Sequence, residues 1–213
     1  MINNIFLNEL TTLPNKKHLD EMLKGCLIMV CIFTPGIFWY YFHTIKKSNI
    51  NIFPLLISFI IIFSIIHFSF KKVFIKKPHI FFLYTSTCFF IFSLSLTWLS
   101  YNLIYIKFNS PLNLILISIS LLIYLLLVLL TFIKVNKKLK SNQIASKKLS
   151  SETTKIFISL SVILGILFFK NLDTTSYIWI ISLILSFCCA PTLIGFYRYY
   201  LCLKINKKNK GII

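Results

Sequence analysis

LNLILISISLLIYLLLVLLTFI (residues 112–133) contains no charged side chain and runs directly into KVNKKLK (134–140). A helix rises about 1.5 Å per residue, so this stretch covers about 33 Å, enough for the roughly 30 Å hydrocarbon core of a bilayer. The same pattern recurs on either side of it, at about 26–43, 52–70, 80–101, 156–169 and 177–203. The chain therefore reads as all-α, a polytopic integral membrane protein built as a bundle of six transmembrane helices. The stretch 156–169 is short and reaches only about 21 Å. It becomes long enough if Thr153 and Thr154 join the helix and Lys155 and Lys170 snorkel to the two interfaces.

Composition agrees with this reading. Apolar residues make up 57% of the 213 positions and charged residues only 13%, too little polar surface to cover a water-soluble fold. A formal charge of +18, from 23 Lys and Arg against five acids, would suggest nucleic acid in a soluble chain. Here the basic residues stand at the ends of apolar spans, where they anchor and orient helices, and no nucleic-acid partner is expected.

Orientation follows from counting Lys and Arg gap by gap. With the N-terminus inside, the inner segments hold three, four, seven and five, a total of 19, and the outer gaps hold Lys46, Lys47, Lys107 and Lys170. Positive residues are retained on the cytoplasmic side, which predicts a multi-pass protein of the cell membrane with both termini in the cytoplasm. Trp39, Trp98 and Trp179 each fall near the outer end of a span, where an indole favours the headgroup region.

Three cytoplasmic segments accompany the spans. In 1–25, Ile2, Ile5, Phe6, Leu10 and Leu13 recur at helical spacing, and Asn15 could cap a turn carrying Leu19, Met22 and Leu23. A short amphipathic helix on the inner leaflet and a frayed tail both fit that segment. The loop 134–155 sets seven lysines against Glu152 and is expected to lie on the anionic inner leaflet; 204–213 is a basic tail. The first span runs into Trp39-Tyr40-Tyr41 with no small-residue cleavage site, so it is expected to remain in place.

Acidic residues are informative by position. Glu9, Asp20, Glu21, Glu152 and Asp173 all lie outside the spans, which argues against a proton relay or cation site built on carboxylates at membrane depth. The chain has no H-E-x-x-H, no G-x-S-x-G and no Walker A loop, and no cofactor is expected. Its six cysteines border or occupy apolar spans without a C-x-x-C pair and read as small buried hydrophobes, with no disulfide framework or metal site.

Two sets of residues remain as candidates. His67 lies inside the second span, Cys88 on the third, and His79 in the loop between them. A Cys–His pair could supply a thiolate nucleophile, as in membrane peptidases that process peptide pheromones. On straight helices, however, His67 and Cys88 differ in depth by roughly 7 Å. The second set is Pro35, followed by Gly36, in the first span and Pro191 in the last; each frees backbone carbonyls at membrane depth, as in the discontinuous helices of transporters. Ser182, Ser186 and Ala190, and Ser86, Ser93, Thr97 and Ser100, form two stripes of small residues that should face the bundle interior.

The reading that best fits these features is a non-catalytic multi-pass membrane protein. It would bind another membrane or secreted component, as an immunity or accessory factor does. A small permease or transporter subunit, moving about Pro35 and Pro191, is the alternative from a second class. A Cys/His membrane peptidase using Cys88 with His67 or His79 is the third.

Overall fold

A computed structural model describes residues 16–47, 51–108, 111–141 and 174–210. Among these, every regular element is helical, and five helices are long and apolar enough to cross a membrane: Leu19–Ile45, Phe53–Phe74, Ile80–Lys107, Leu112–Lys137 and Tyr177–Ile205. They correspond to the stretches expected at 26–43, 52–70, 80–101, 112–133 and 177–203. The expected stretch 156–169, residues 1–15 of the N-terminal segment and residues 142–155 of the basic loop lie outside the described residues.

The first span is composite. Helix α1 (Lys16–Ile28) passes through a π turn (Met29–Phe33) into α2 (Thr34–Tyr40) and a second π turn (Tyr41–Ile45). The described part of the N-terminal segment is thus continuous with the first span. Its Leu23 is buried, and Leu19 and Met22 pack on the same core.

Helix α3 (Phe53–Lys76) starts where the Asn51 Oδ1 accepts the Phe53 N–H at 3.1 Å, with Pro54 in the first turn, where a missing N–H costs nothing. It stops before Pro78, whose ring disfavours helical geometry at Lys77, found at φ −137° and ψ 76°. A tight turn leads into α4 (Ile80–Lys107). Then come α5 (Leu112–Ser141), α6 (Thr174–Cys189), a 3-10 turn (Ala190–Leu193) and α7 (Ile194–Lys210).

Several helices outrun the apolar stretches that predict them. Helix α3 continues through Lys71 and Lys72, and α5 through Lys134, Lys137 and Lys138. Lysine is a good helix former, and its long stem lets the charge reach water while the backbone stays helical, so the end of apolarity is not the end of the helix.

The described residues form two compact units, one from Thr11–Ser95 and Thr192–Ile213, the other from Leu96–Pro191. The first has a core of Leu23, Cys26, Val30, Phe63, Phe81, Phe82, Tyr84 and Cys88. In the second, α6 meets the end of α4 through hydroxyls. Thr97 and Ser186 share a hydrogen bond of 2.6 Å, and Ser100 Oγ donates to the Trp179 carbonyl at 3.0 Å. The small-residue stripes are largely buried: Ser86, Ser93, Ser100, Ser182, Ser186 and Ala190 are buried and Thr97 is half-buried. Helix α5, by contrast, buries only Asn113 and Ser120 among its described side chains.

Candidate functional site

The first unit contains the sequence candidates. Cys88, on α4, is fully buried among aromatic rings, and His67, on α3, is buried as well. His67 Nδ1 shares a hydrogen bond with the Tyr84 hydroxyl, one turn before Cys88 on α4. Cys26 of α1 belongs to the same buried cluster as Tyr84 and Cys88. Phe63, Phe70 and Phe74 pack their rings around Tyr84 at centroid distances of 6.3, 5.2 and 5.9 Å. The His67–Tyr84 bond thus ties α3 to α4 within an aromatic core that also buries Cys88 and Cys26.

His79 belongs elsewhere. It is half-buried, and its ring stacks on Tyr199 of α7 at 5.7 Å, so Cys88 has neither histidine as a direct partner. Among the described residues no group of three His, Cys, Asp or Glu side chains is placed to hold a metal ion.

Both prolines stand at a local change of helix type within a continuous helical span, of opposite kinds. Pro35 has no N–H for the Cys31 carbonyl four residues back. The chain before it widens into the π turn, and the Met29 carbonyl accepts both the backbone N–H of Thr34 and its hydroxyl at 3.3 Å. Around Pro191 the chain tightens into the 3-10 turn, which leaves the Thr192 carbonyl pointing sideways to accept Ser86 Oγ at 3.0 Å.

Immediately after that turn, α7 comes very close to α4. Gly195 is buried, and a Cβ built there would lie 1.9 Å from Ser86 Oγ and 3.1 Å from the Phe82 carbonyl. Beside this crossing is a cavity of about 350 Å³, with Phe81, Phe82 and Phe89 on its walls, Thr85 and Ser86 among them, and Arg198 of α7 as the charged group. The guanidinium sits 4.1 Å from the centre of the Phe82 ring, within cation–π range.

Tyr84 and Arg198 are the two residues here that sequence reasoning passed over. Tyr84 carries a weak signal, a hydroxyl one helical turn before Cys88. Arg198 carries a stronger one, because it is the one arginine in a chain whose other basic residues are lysines, and it falls inside an apolar span. It is one of the five basic residues of the last inner segment, with the lysines at 204, 207, 208 and 210. No family model matches this chain, and no curated protein or solved structure matches it either.

Proposed function

We propose that this chain is a six-span protein of the cell membrane, with both termini in the cytoplasm, that acts by binding another membrane or secreted component as an immunity or accessory factor does. The orientation rests on the distribution of 19 against four basic residues. Reporter fusions after Ile50, Asn109 and Thr174 should report outside, and fusions after Lys77, Asn142 and Lys208 inside. The same side for Asn142 and Thr174 would make 156–169 re-entrant and reduce the count to five.

The observation that favours binding over catalysis is the placement of Cys88, fully buried in the core while His67 is hydrogen-bonded to Tyr84. A nucleophile needs its base in hydrogen-bond reach and a path for substrate. The cavity of about 350 Å³ at Arg198 has no histidine, cysteine or carboxylate in its described lining. Profiling of peptide N-termini from membranes and medium should give the same set for cells carrying the wild type and the Cys88→Ala variant. Termini that vanish with Cys88→Ala, at normal protein abundance, would overturn the proposal in favour of a peptidase.

The permease is the second reading, and one observation favours it: the break at Pro191 adjoins the cavity, as broken helices adjoin substrate sites in transporters. Uptake by proteoliposomes of the purified chain, compared with Pro191→Ala, separates the two.

A further inference from the structure

We propose that the cavity beside the α4–α7 crossing is a slot for one acyl chain of a bilayer phospholipid, which is held by its methylenes and not by its headgroup. The proposal goes beyond the binding function and rests only on the membrane-embedded reading of the protein.

The cavity is elongated along the helices. Phe81, Phe82, Thr85, Ser86 and Phe89 line it at i, i+1, i+4, i+5 and i+8, which is one face of α4. Thr192, Gly195 and Arg198 line it from the 3-10 turn and α7. From Phe81 to Phe89 the helix rises about 12 Å, so the space follows the helix axis. A helix that crosses a bilayer stands near its normal, the direction in which acyl chains also run on average. The volume of about 350 Å³ is at the small end of the range of roughly 300–1,000 Å³ for small-molecule sites, enough for a run of methylenes and too small for a partner helix.

The polar groups of the lining are engaged elsewhere. Thr85 Oγ1 donates to the Phe81 carbonyl at 2.9 Å, and Ser86 Oγ to the Thr192 carbonyl at 3.0 Å. Thr192 and Arg198 have interactions of their own, and the guanidinium lies 4.1 Å from the centre of the Phe82 ring. The surface left for a ligand is that of the Phe81 and Phe89 rings and of the Met22 and Ile194 side chains.

Burial shows where the slot opens. Phe81, Phe82, Thr85 and Ser86 are buried and make its floor, whereas Met22, Phe89 and Ile194 are half-buried and make its rim. The lining from α4 and α7 falls within the spans Ile80–Lys107 and Tyr177–Ile205, so hydrocarbon lies beyond that rim. An acyl chain that enters leaves no water behind, and its gain is dispersion contact with the rings.

The test uses the full-length protein in phosphatidylcholine vesicles that contain a small fraction of phosphatidylcholine with a diazirine midway along one acyl chain. After illumination, the labelled residues are mapped by mass spectrometry. Phe82 and Thr85, buried behind the rim, should be labelled together with Leu126, which is exposed on α5. Met22→Trp and, separately, Ile194→Trp put a larger ring in the slot, and each should lower the label on Phe82 and Thr85 about tenfold relative to Leu126. The same probe built on phosphatidylglycerol should label Phe82 and Thr85 to within about twofold of the phosphatidylcholine probe. Label confined to Leu126 and the rim would show lipid passing over the slot without entering, and would overturn the proposal. Undiminished label on Phe82 in both tryptophan variants would do the same. A preference of about tenfold or more for phosphatidylglycerol would shift the affinity from the acyl chain to a headgroup charge and overturn the slot as stated. Extraction of the protein from membranes by alkaline carbonate is a separate outcome that defeats the membrane reading itself.

Discussion

At Pro35 the helix loosens into π turns on either side, whereas at Pro191 it tightens into a 3-10 turn. The glycines near the two breaks differ in the same sense. Nothing lies within 4 Å of a Cβ built on Gly36, while one on Gly195 would collide with α4. The π turn before Pro35 widens the backbone and keeps the Met29 carbonyl paired within its own helix through Thr34, so the contacts of the first break are local. A 3-10 turn narrows the backbone and turns a carbonyl outward, so the second break needs a neighbour and finds it in Ser86. The first break shapes one helix, and the second fastens two helices together beside a cavity.

The sharpest way to break this comparison is Gly195→Ala. The Ser86 side chain would have to leave its bond to Thr192, and the Phe82 carbonyl still crowds the new methyl. Overpacking of this kind costs about 1–3 kcal/mol, read as a lower midpoint of thermal unfolding in detergent, with partial recovery in Gly195→Ala/Ser86→Gly. A Gly195→Ala protein as stable as the wild type would mean that the crossing is loose.

Ser86→Ala comes next. It removes one hydrogen bond to Thr192 and should cost about 0.5–1.5 kcal/mol in the same measurement. If it costs nothing, the 3-10 turn does not depend on α4 for its carbonyl.

Gly36→Ala should move the other way. With open space around the new methyl and a helical backbone, it should stabilise by about 0.4–1 kcal/mol through the unfolded chain. A loss would show that the first break also packs closely.

The smallest effect is expected for Thr34→Val, below about 0.5 kcal/mol, because the Met29 carbonyl keeps the backbone N–H of residue 34. A penalty matching that of Ser86→Ala would remove the distinction between a self-contained and a shared break.

Much of this architecture is legible in the residues. Five apolar stretches become helices, which satisfy their backbone within the segment in an apolar medium, and both prolines fall at a local change of helix type. The serine stripes are buried as their spacing implies. Less legible is whatever depends on which helices meet. Pro35 and Pro191 are equivalent from within their own spans, and only the neighbouring α4 distinguishes them. The pairing of His67 with Tyr84 instead of Cys88 arises because a tyrosine hydroxyl reaches one turn further than a thiol, and no spacing rule along either helix encodes that. Arg198 is the reverse case, a residue of conspicuous type inside the stretch 177–203 that a count of basic residues assigns to the inner side with the lysines beyond it.

The π turns have a consequence for how the first helix can change over evolutionary time. Each holds one residue more than an α turn, and each residue added to or removed from a helix rotates everything beyond it by about 100°. Uninterrupted helices such as α5 transmit that rotation along their whole length, so a single insertion misdirects every following side chain. The first helix contains its slack at Met29–Phe33 and Tyr41–Ile45. The face that presents Leu23 and Cys26 to the core is therefore set independently of the face beyond Tyr40, and a one-residue deletion within either turn converts it to α geometry without a break in the chain's path. Length variation in this protein has a natural place to accumulate, and it is the helix that looks most disturbed.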